Sequence, residues 1–576
     1  MDSMQKFNLW LEQVPKGTPV YEELCEISGN QTEIQERFGT DLTFGTAGLR
    51  GIMGAGSDRM NIYTVRRAAL AYGQYIKASS LPDTCVIAYD TRNHSRLFSE
   101  TCAVALAEMG IHVYLFPEPV PTPMLSFAVR KLGTGGGVVM TASHNPAAYN
   151  GMKCYGSDGC QQTDAPAADV FARMQNIPMI SEPKSSYEEL VASKAIELLE
   201  EAFYENYYVA VLAEGLCGEN IPSSGLKVLY TPLHGTGLKP VTTLFDRMGV
   251  AYDIVASQMS PDGNFPTCPY PNPETEGAFD EAKQMIATGS AENYDVVIAT
   301  DPDADRVAVA VPKKDGSLRR LSGNELGCLL LDFILSMRQA KGILPPNSKC
   351  IKSIVTTPMV VEIAKHYGCE NIDVLTGFKY IGSTILELEQ QGREDEVIFA
   401  FEESCGFLKG TYARDKDAQV ACMLVCELAA TCKSAGMNLE EKLEALYQTY
   451  GYYKTQVVSV ELSGEAGKQR CADYIDFLRR NPFAAIAGLP VEKIADYREG
   501  CLHNCDSGER TVLNFPKSNV ISYELGNSGK VILRPSGTEP KLKIYYFASD
   551  PSEEKAVARL SQMAEAIQKS MTAFGI

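Results

Sequence analysis

Short apolar runs alternate with helix-period segments along the first three quarters of the chain, and this alternation restricts the fold more than any other feature. Runs at 85–89, 138–141, 227–230, 296–300, 351–355 and 397–401 read as strands. Between them, apolar residues recur at helical spacing over 65–79, 100–109, 192–212, 276–287, 325–337 and 418–430. Strands joined through helices pair in parallel, because the chain needs a long crossover to return to the same edge of a sheet. An α/β class with mostly parallel, mixed sheets is therefore expected. Several of these strands end in polar, glycine-containing loops, which is where open α/β sheets bind ligands.

From about residue 452 the pattern changes. Apolar runs at 457–460, 531–533 and 542–547 accompany helical stretches over 471–480 and 552–574, as in a smaller α+β module. A chain of 576 residues is too long for one core. Breaks near 215–225, 313–321 and 448–455 predict four units, 1–215, 216–320, 321–450 and 451–576. The sequence shows no repeat strong enough to establish duplication among them.

A formal charge of −19 argues against a general nucleic-acid or anionic-membrane partner, so an anionic small molecule would need a locally basic pocket. The 17 cysteines are scattered without a C-x-x-C, and the first residues lack a secretory apolar core. No uninterrupted apolar stretch approaches the roughly 18 residues of a membrane span. A reducing, cytoplasmic setting is expected. Cys501-x-His503-x-Cys505 lacks a second ligand pair nearby, and Cys422 and Cys426 fit one packed helix face.

Chemistry-bearing residues gather in the loops. T-A-S-H-N-P at 141–146 follows the strand of 138–141, which would deliver Ser143 to an exposed loop. A serine there either caps a turn or, once activated, carries an acyl or phosphoryl group. No G-x-S-x-G elbow surrounds it, which disfavours a serine hydrolase. D-P-D-A-D-R at 301–306 follows the strand of 296–300 and can turn Asp301, Asp303 and Asp305 toward one point, a hard-oxygen site for Mg²⁺, Ca²⁺ or Mn²⁺. An EF-hand is excluded, since Arg306 stands where glycine is required and no glutamate closes the loop. Arg306 is placed to offset the three acids. R-P-S-G-T-E-P-K at 534–541 offers a guanidinium, hydroxyls and a glycine N–H to a phosphate, or is an ordinary turn. F-G-T-A-G-L-R-G at 44–51 is a turn or an anion contact through Arg50. In F-E-E-S-C-G at 401–406, Glu402 and Ser404 suit sugar hydroxyls, while Ser404 could equally N-cap a helix. Thr376-Gly377-Phe378-Lys379 and Asp415-Lys416-Asp417 lie on further polar loops.

These motifs occur together and in the order of one family. The chain resembles the α-D-phosphohexomutases, and within them the phosphoglucomutase/phosphopentomutase branch, over nearly its whole length. The resemblance implies three related α/β domains and a smaller C-terminal one around a central cleft, the four units carrying a phosphoserine loop, a metal loop, a sugar loop and a phosphate loop in turn. It implies that Ser143 is the phosphoserine carrier with His144 beside it. One Mg²⁺ would be held by Asp301, Asp303, Asp305 and an oxygen of that phosphoserine. Arg50 and Arg306 would steady the transferring group, and Lys153 would sit near the reacting hydroxyl. Thr376, Gly377, Glu402 and Ser404 would read the sugar and Lys416 would help hold it. Arg534, Ser536, Gly537 and Thr538 would grip the phosphate that is not reacting. The implied activity interconverts glucose 1-phosphate and glucose 6-phosphate, with glucose 1,6-bisphosphate as intermediate and activator. A phosphopentomutase, a phosphomannomutase side activity and a glucose 1,6-bisphosphate synthase are alternatives on the same fold. A non-catalytic sugar-phosphate sensor is the alternative from another class, and it would not need both Ser143 and the aspartates.

Overall fold

The computed structural model describes residues 1–43, 48–289, 294–313, 315–462, 464–536 and 541–576, the side chains of 464 and 465 excepted. Three sheets share one plan. In the first, Thr84–Tyr89, His112–Leu115 and Gly136–Met140 are parallel strands linked by the helices Ser95–Glu108 and Thr122–Leu132. In the second, Lys227–Thr231, Ala251–Ile254 and Val296–Thr300 are linked by Leu238–Met248 and Asp280–Thr288. In the third, Lys349–Ser353, Glu370–Val374 and Val397–Glu402 are linked by Met359–His366 and Phe378–Gln390. Each time the earliest strand of the three lies in the middle. Each time the last then turns back through an antiparallel hairpin, into Tyr149–Gly156, Val307–Pro312 or Gly406–Leu408. The duplication that the sequence hides is thus plain in the topology.

The hairpin turns occupy equivalent places, and each holds a non-glycine residue at positive φ: Ser143 (51°), Ala304 (46°) and Cys405 (63°). Left-handed backbone brings Cβ close to the following carbonyl oxygen, at roughly 1–2 kcal/mol per residue. Such turns persist only where surrounding contacts over-determine them.

The helix expected over 192–212 is a correction. The chain instead forms a helix Tyr187–Ala192, an edge strand Ile196–Leu198 and a second helix Glu201–Ala213. Ile196 pairs with Val113 at the parallel edge of the first sheet, so sheet pairing overrides the local helical period. The helix Ala418–Ser434 is buried almost all round, with Cys422 and Cys426 both fully inside. It packs against the second sheet and against Glu201–Ala213. One core therefore runs from Phe127 through Tyr207 and Leu229 to Val420, and ties the three sheets together.

The C-terminal part is a seven-stranded antiparallel sheet framed by the long pair Tyr452–Glu461 and Lys541–Asp550. The helices Gly464–Arg480 and Glu553–Phe574 cover one face through Tyr474, Ile475, Met563 and Ile567. The other face sets Ile532, Tyr545 and Phe547 against Ile354, Val355 and Leu375 of the third sheet's loops. Among the described residues, no single helix is long and apolar enough to cross a membrane.

Candidate active site

The three hairpin turns converge. Arg306 bridges to Gly406, and the Val307 N–H donates to the Cys405 carbonyl at 3.0 Å. From the first hairpin, Ser143 Oγ donates to Asp301 Oδ2 at 3.0 Å. The Ser143 N–H meanwhile donates to Thr141 Oγ1 at 2.8 Å. Ser143 is therefore not on an exposed loop, as its strand-end position suggested, but only 3% accessible, because the metal-type loop closes over its hydroxyl.

Asp301, Asp303 and Asp305 are buried, and one carboxylate oxygen of each lies within 4.8 Å of the others. The loop spaces them on alternate residues while its backbone wraps one of them: the N–H groups of Asp305 and Arg306 donate to Asp301 Oδ1 at 3.2 and 3.0 Å. Asp303 Oδ2 accepts from Thr122 Oγ1 at 2.9 Å and from Lys153 Nζ at 3.0 Å. Lys416 Nζ lies 3.1 Å from Asp305 Oδ2 and 3.0 Å from Asp415 Oδ1. Arg306 pairs with Glu274 at 2.5 Å and stands 3.7 Å from Asp305.

Burial, then the neighbouring Asp303 charge, pushes the Asp301 carboxyl well above the usual range, and the same two causes raise Asp305. Burial would raise Asp303 as well, but the Lys153 ammonium prevails and holds it low. Two buried carboxylate oxygens, Asp303 Oδ1 and Asp305 Oδ1, have no hydrogen-bond partner among the described residues. Unpartnered buried oxygens of this kind are costly. Converging hard-oxygen donors fit a divalent cation. No other group of three or more such ligands converges among the described residues, Cys501, His503 and Cys505 included.

His144 Nδ1 sits 3.2 Å from Ser143 Oγ. Burial, then the charges of Arg306 and Arg50, hold its imidazole well below the usual histidine range, so it is neutral at neutral pH. Arg50 is exposed at the rim and donates to Asn145 Oδ1 at 3.2 Å.

On the sugar side, the Gly377 N–H donates to Glu402 Oε1 at 2.7 Å, with Gly377 at a φ of 122° that favours glycine. Thr376 Oγ1 is buried with no partner among the described residues. Ser404 lies in the hairpin between Val397–Glu402 and Gly406–Leu408, so the helix-cap alternative fails. Lys416, expected as a substrate contact, reaches the metal-type loop and also lies 5.4 Å from the Phe378 ring. Arg534 hydrogen-bonds with the Tyr545 hydroxyl, and its charge also bears on Tyr380. The Ser536 N–H donates to the Lys541 carbonyl at 2.7 Å. Gly537, Thr538 and residues 44–47 lie outside the described residues.

Sequence reasoning passes over Thr122, Glu274 and Tyr155, which carry no local motif, and places Asp415 on a polar loop without giving it a role. Tyr155 Oη donates to Asp415 Oδ2 at 2.6 Å, and Asp415 in turn holds Lys416. Arg92, under the Ser143 turn, is missed too, although D-x-R directly after the strand Thr84–Tyr89 was a signal of the same strand-end kind.

Comparison with known proteins identifies the family. Family models described as "Phosphoglucomutase/phosphomannomutase, alpha/beta/alpha domain" I, II and III match residues 41–180, 206–316 and 322–450, and the C-terminal domain model matches 506–563. A curated relative from Staphylococcus aureus (strain USA300), named phosphoglucomutase, is 36% identical over 565 residues, covering 96% of this chain and 98% of its own length. A second, from S. aureus strain MSSA476, is 37% identical over 547 residues, 93% of this chain and 94% of its own. Among solved structures, a putative phosphomannomutase from Thermus thermophilus superposes with a TM-score of 0.67 at 22% identity, over 92% of this chain and 99% of that one. The open form of parafusin, a phosphoglucomutase from Paramecium, superposes with a TM-score of 0.68 at 15% identity, over 93% and 95%. The two superpositions are likenesses of fold, and the family models together with the relatives at 36 and 37% identity establish that the chain belongs to the phosphoglucomutase/phosphomannomutase family.

Proposed function

We propose that the protein is a phosphoglucomutase that interconverts glucose 1-phosphate and glucose 6-phosphate, with Ser143 as phosphoryl carrier and Asp301, Asp303 and Asp305 as the ligands of one Mg²⁺. The observation that carries this reading is the buried Ser143 hydroxyl donating to Asp301 beside two carboxylate oxygens that have no hydrogen-bond partner among the described residues.

When bound, Mg²⁺ would offset charge on the transferring phosphoryl oxygens. The chain's own residues do the rest. With phosphate on Ser143 Oγ, the O6 hydroxyl of glucose 1-phosphate attacks phosphorus. The bond to Ser143 Oγ breaks, a new P–O6 bond forms, the O6 proton leaves to a base, and Ser143 Oγ takes up a proton to become a hydroxyl. The resulting glucose 1,6-bisphosphate turns in the cleft and returns its C1 phosphate to Ser143 Oγ: the P–O1 bond breaks, a P–Oγ bond forms, O1 takes up a proton, and glucose 6-phosphate departs. Taking up that phosphate requires Ser143 to shed its proton, which the hydroxyl here donates to Asp301 Oδ2; the neutral His144 Nδ1, 3.2 Å from the same oxygen, is the second group positioned to accept it. Arg306 and Arg50 neutralise the equatorial oxygens, and Lys153 faces the reacting hydroxyl. Gly377 and Glu402 present one continuous polar edge to the sugar, flanked by Ser404 and by the Thr376 hydroxyl, which has no hydrogen-bond partner among the described residues. Arg534 and Ser536, with Gly537 and Thr538, hold the second phosphate. The working units are 1–215, 216–320, 321–450 and 451–576, one functional loop in each.

Coupled assays on glucose 1-phosphate, mannose 1-phosphate and ribose 1-phosphate, with phosphopeptide mass spectrometry, test this. The expected result is highest kcat/KM for glucose 1-phosphate, phosphate on Ser143, and a loss in Ser143→Ala of at least about a thousandfold. Intact turnover in Ser143→Ala would refute the carrier, and highest kcat/KM on ribose 1-phosphate would refute the glucose assignment.

A further inference from the structure

We propose that Arg92 is a positioning residue for phosphoryl transfer, holding the Ser143 peptide in its left-handed turn and tying that turn to the second sheet's loops. The inference rests on Ser143 being the phosphoryl carrier.

Arg92 follows the strand Thr84–Tyr89, and its side chain is wholly buried. Its two terminal nitrogens serve four backbone carbonyls of one hairpin turn. Nη1 donates to Pro146 and Tyr149 at 3.0 and 3.1 Å, and Nη2 donates to Ser143 and Asn145. The Ser143 and Asn145 carbonyls lie in the turn, outside any strand or helix, and buried carbonyls need partners; Pro146 also accepts from the Tyr149 N–H at 3.0 Å. The planar guanidinium supplies a rigid fork of donors at once, which the three donors of a lysine ammonium cannot reproduce. Asp90 balances the charge, with its Oδ2 3.3 Å from Arg92 Nε. Asp90 Oδ1 is itself fixed by Ser95 Oγ at 2.7 Å and by the Arg92 N–H at 2.9 Å.

The same residue reaches across to the second sheet's loops. Its guanidinium carbon lies 5.0 Å from the ring centroid of Phe265, a fully buried residue that itself has a φ of 48°. On either side of Arg92, Thr91 Oγ1 donates to the His234 carbonyl and Asn93 Nδ2 to Asn264 Oδ1, both at 2.9 Å. A Cβ at Gly263 would stand 2.3 Å from the Asn93 nitrogen, so the two backbones meet there with no side chain between them. The serine turn is therefore registered against the loops flanking the aspartate cluster through residues 91–93. Arg92 touches neither the cluster nor the serine hydroxyl. It determines where Ser143 Oγ points through the peptide on which that hydroxyl stands.

The test is single-turnover phosphorylation of Ser143 by glucose 1,6-bisphosphate in wild type and Arg92→Lys, read as a rate constant, which does not scale with the folded fraction. Binding of glucose 1-phosphate is measured alongside. We expect the rate constant to fall roughly 100-fold, with glucose 1-phosphate affinity little changed. For Arg92→Ala we expect partial restoration by free ethylguanidinium but not by ethylammonium. An unchanged rate constant, or a loss confined to burst amplitude, overturns the proposal. Should Arg92→Lys fail to fold, Asp90→Asn is held to the same criteria. If wild type itself gains no phosphate on Ser143, the carrier reading fails instead, and the two failures are distinguishable.

Discussion

At the scale of single residues, the site is a set of buried charges whose partners come from other elements. Thr122 is the clearest case. It opens the helix Thr122–Leu132, its N–H donates to the Asp303 carbonyl at 2.9 Å, and its hydroxyl donates to the Asp303 carboxylate at the same distance. Thr122→Val keeps the first bond and loses the second. Partners that orient a ligating carboxylate typically matter by about 10–100-fold in metal affinity, so a loss in that range is expected in a Mg²⁺ or Mn²⁺ titration by calorimetry. Unchanged affinity would mean that the hydroxyl orients nothing. His144 gives a prediction with a sign. Its imidazole is held below the ordinary histidine range by burial and by Arg306 and Arg50, so it stays neutral as pH falls through about 6.5. The rate at which Ser143 takes phosphate from glucose 1,6-bisphosphate should therefore show no histidine titration at pH 6–7, and should fall only at lower pH. A titration centred near pH 6.5 would remove His144 as proton acceptor.

At the scale of elements, the hairpin after the third parallel strand is the repeated functional unit. The sequence reveals the buried strands because Val296–Thr300 and Val397–Glu402 are apolar runs ending at acidic loops. It conceals the returning strands, since Tyr149–Gly156 and Gly406–Leu408 carry glycines and, in the first, Lys153, and show no period-two pattern. Antiparallel pairing with a central strand, not propensity, makes them strands. The helix Gly323–Ala340 shows how tightly the sugar hairpin is packed. A Cβ on Gly327 would lie 2.1 Å from the Phe401 ring, and one on Gly323 would lie 2.1 Å from the Glu403 carbonyl oxygen. Gly327→Ala should gain about 1 kcal/mol of helix propensity and lose more to overpacking, typically 1–3 kcal/mol. A net loss is expected in the urea midpoint, with KM for the sugar phosphate raised because Phe401 precedes Glu402. A stabilised variant with unaltered KM would show that the hairpin yields freely.

At the scale of the whole molecule, Asp417 joins distant parts of the chain. It caps the helix Ala418–Ser434 through the N–H groups of Gln419 and Val420 at 2.7 and 3.3 Å. It also accepts from Tyr412 Oη at 2.6 Å and from Tyr207 Oη, on the helix Glu201–Ala213, at 2.8 Å. Burial raises its carboxyl to about 6 from an ordinary 3.8, despite those donors. A folded pKa above the unfolded one means that the folded chain holds the proton more tightly. The stabilisation is thus complete below about pH 4 and lost as pH rises through about 6. Asp417→Asn should flatten the stability curve across that window, measured as denaturant midpoints at pH 4 and 7 wherever unfolding is reversible. An identical slope in both proteins would assign the pH dependence elsewhere. The C-terminal sheet adds a second whole-molecule effect, because the Arg534 charge bears on Tyr380 of the helix Phe378–Gln390. Arg534→Ala should raise KM for glucose 1-phosphate while leaving Mg²⁺ affinity intact. No change in KM or turnover would remove the phosphate grip.

By itself the sequence determined the α/β class, the buried central strands and the loops that hold Ser143 and the three aspartates. Each of these depends on short-range pattern: apolar period, proline and glycine placement, and acids on alternate residues. Tertiary structure alone decided which strands pair to give the three sheets their common plan, that Ser143 is enclosed rather than exposed, and that Thr122, Arg92, Lys153 and Lys416 converge on two adjoining turns. Those outcomes depend on which strands pair and which faces pack over long separations, as when Ile196 left a helical pattern to complete a sheet edge. Local sequence carries little of that information, because the energy that selects the pairing resides in contacts between segments far apart in the chain.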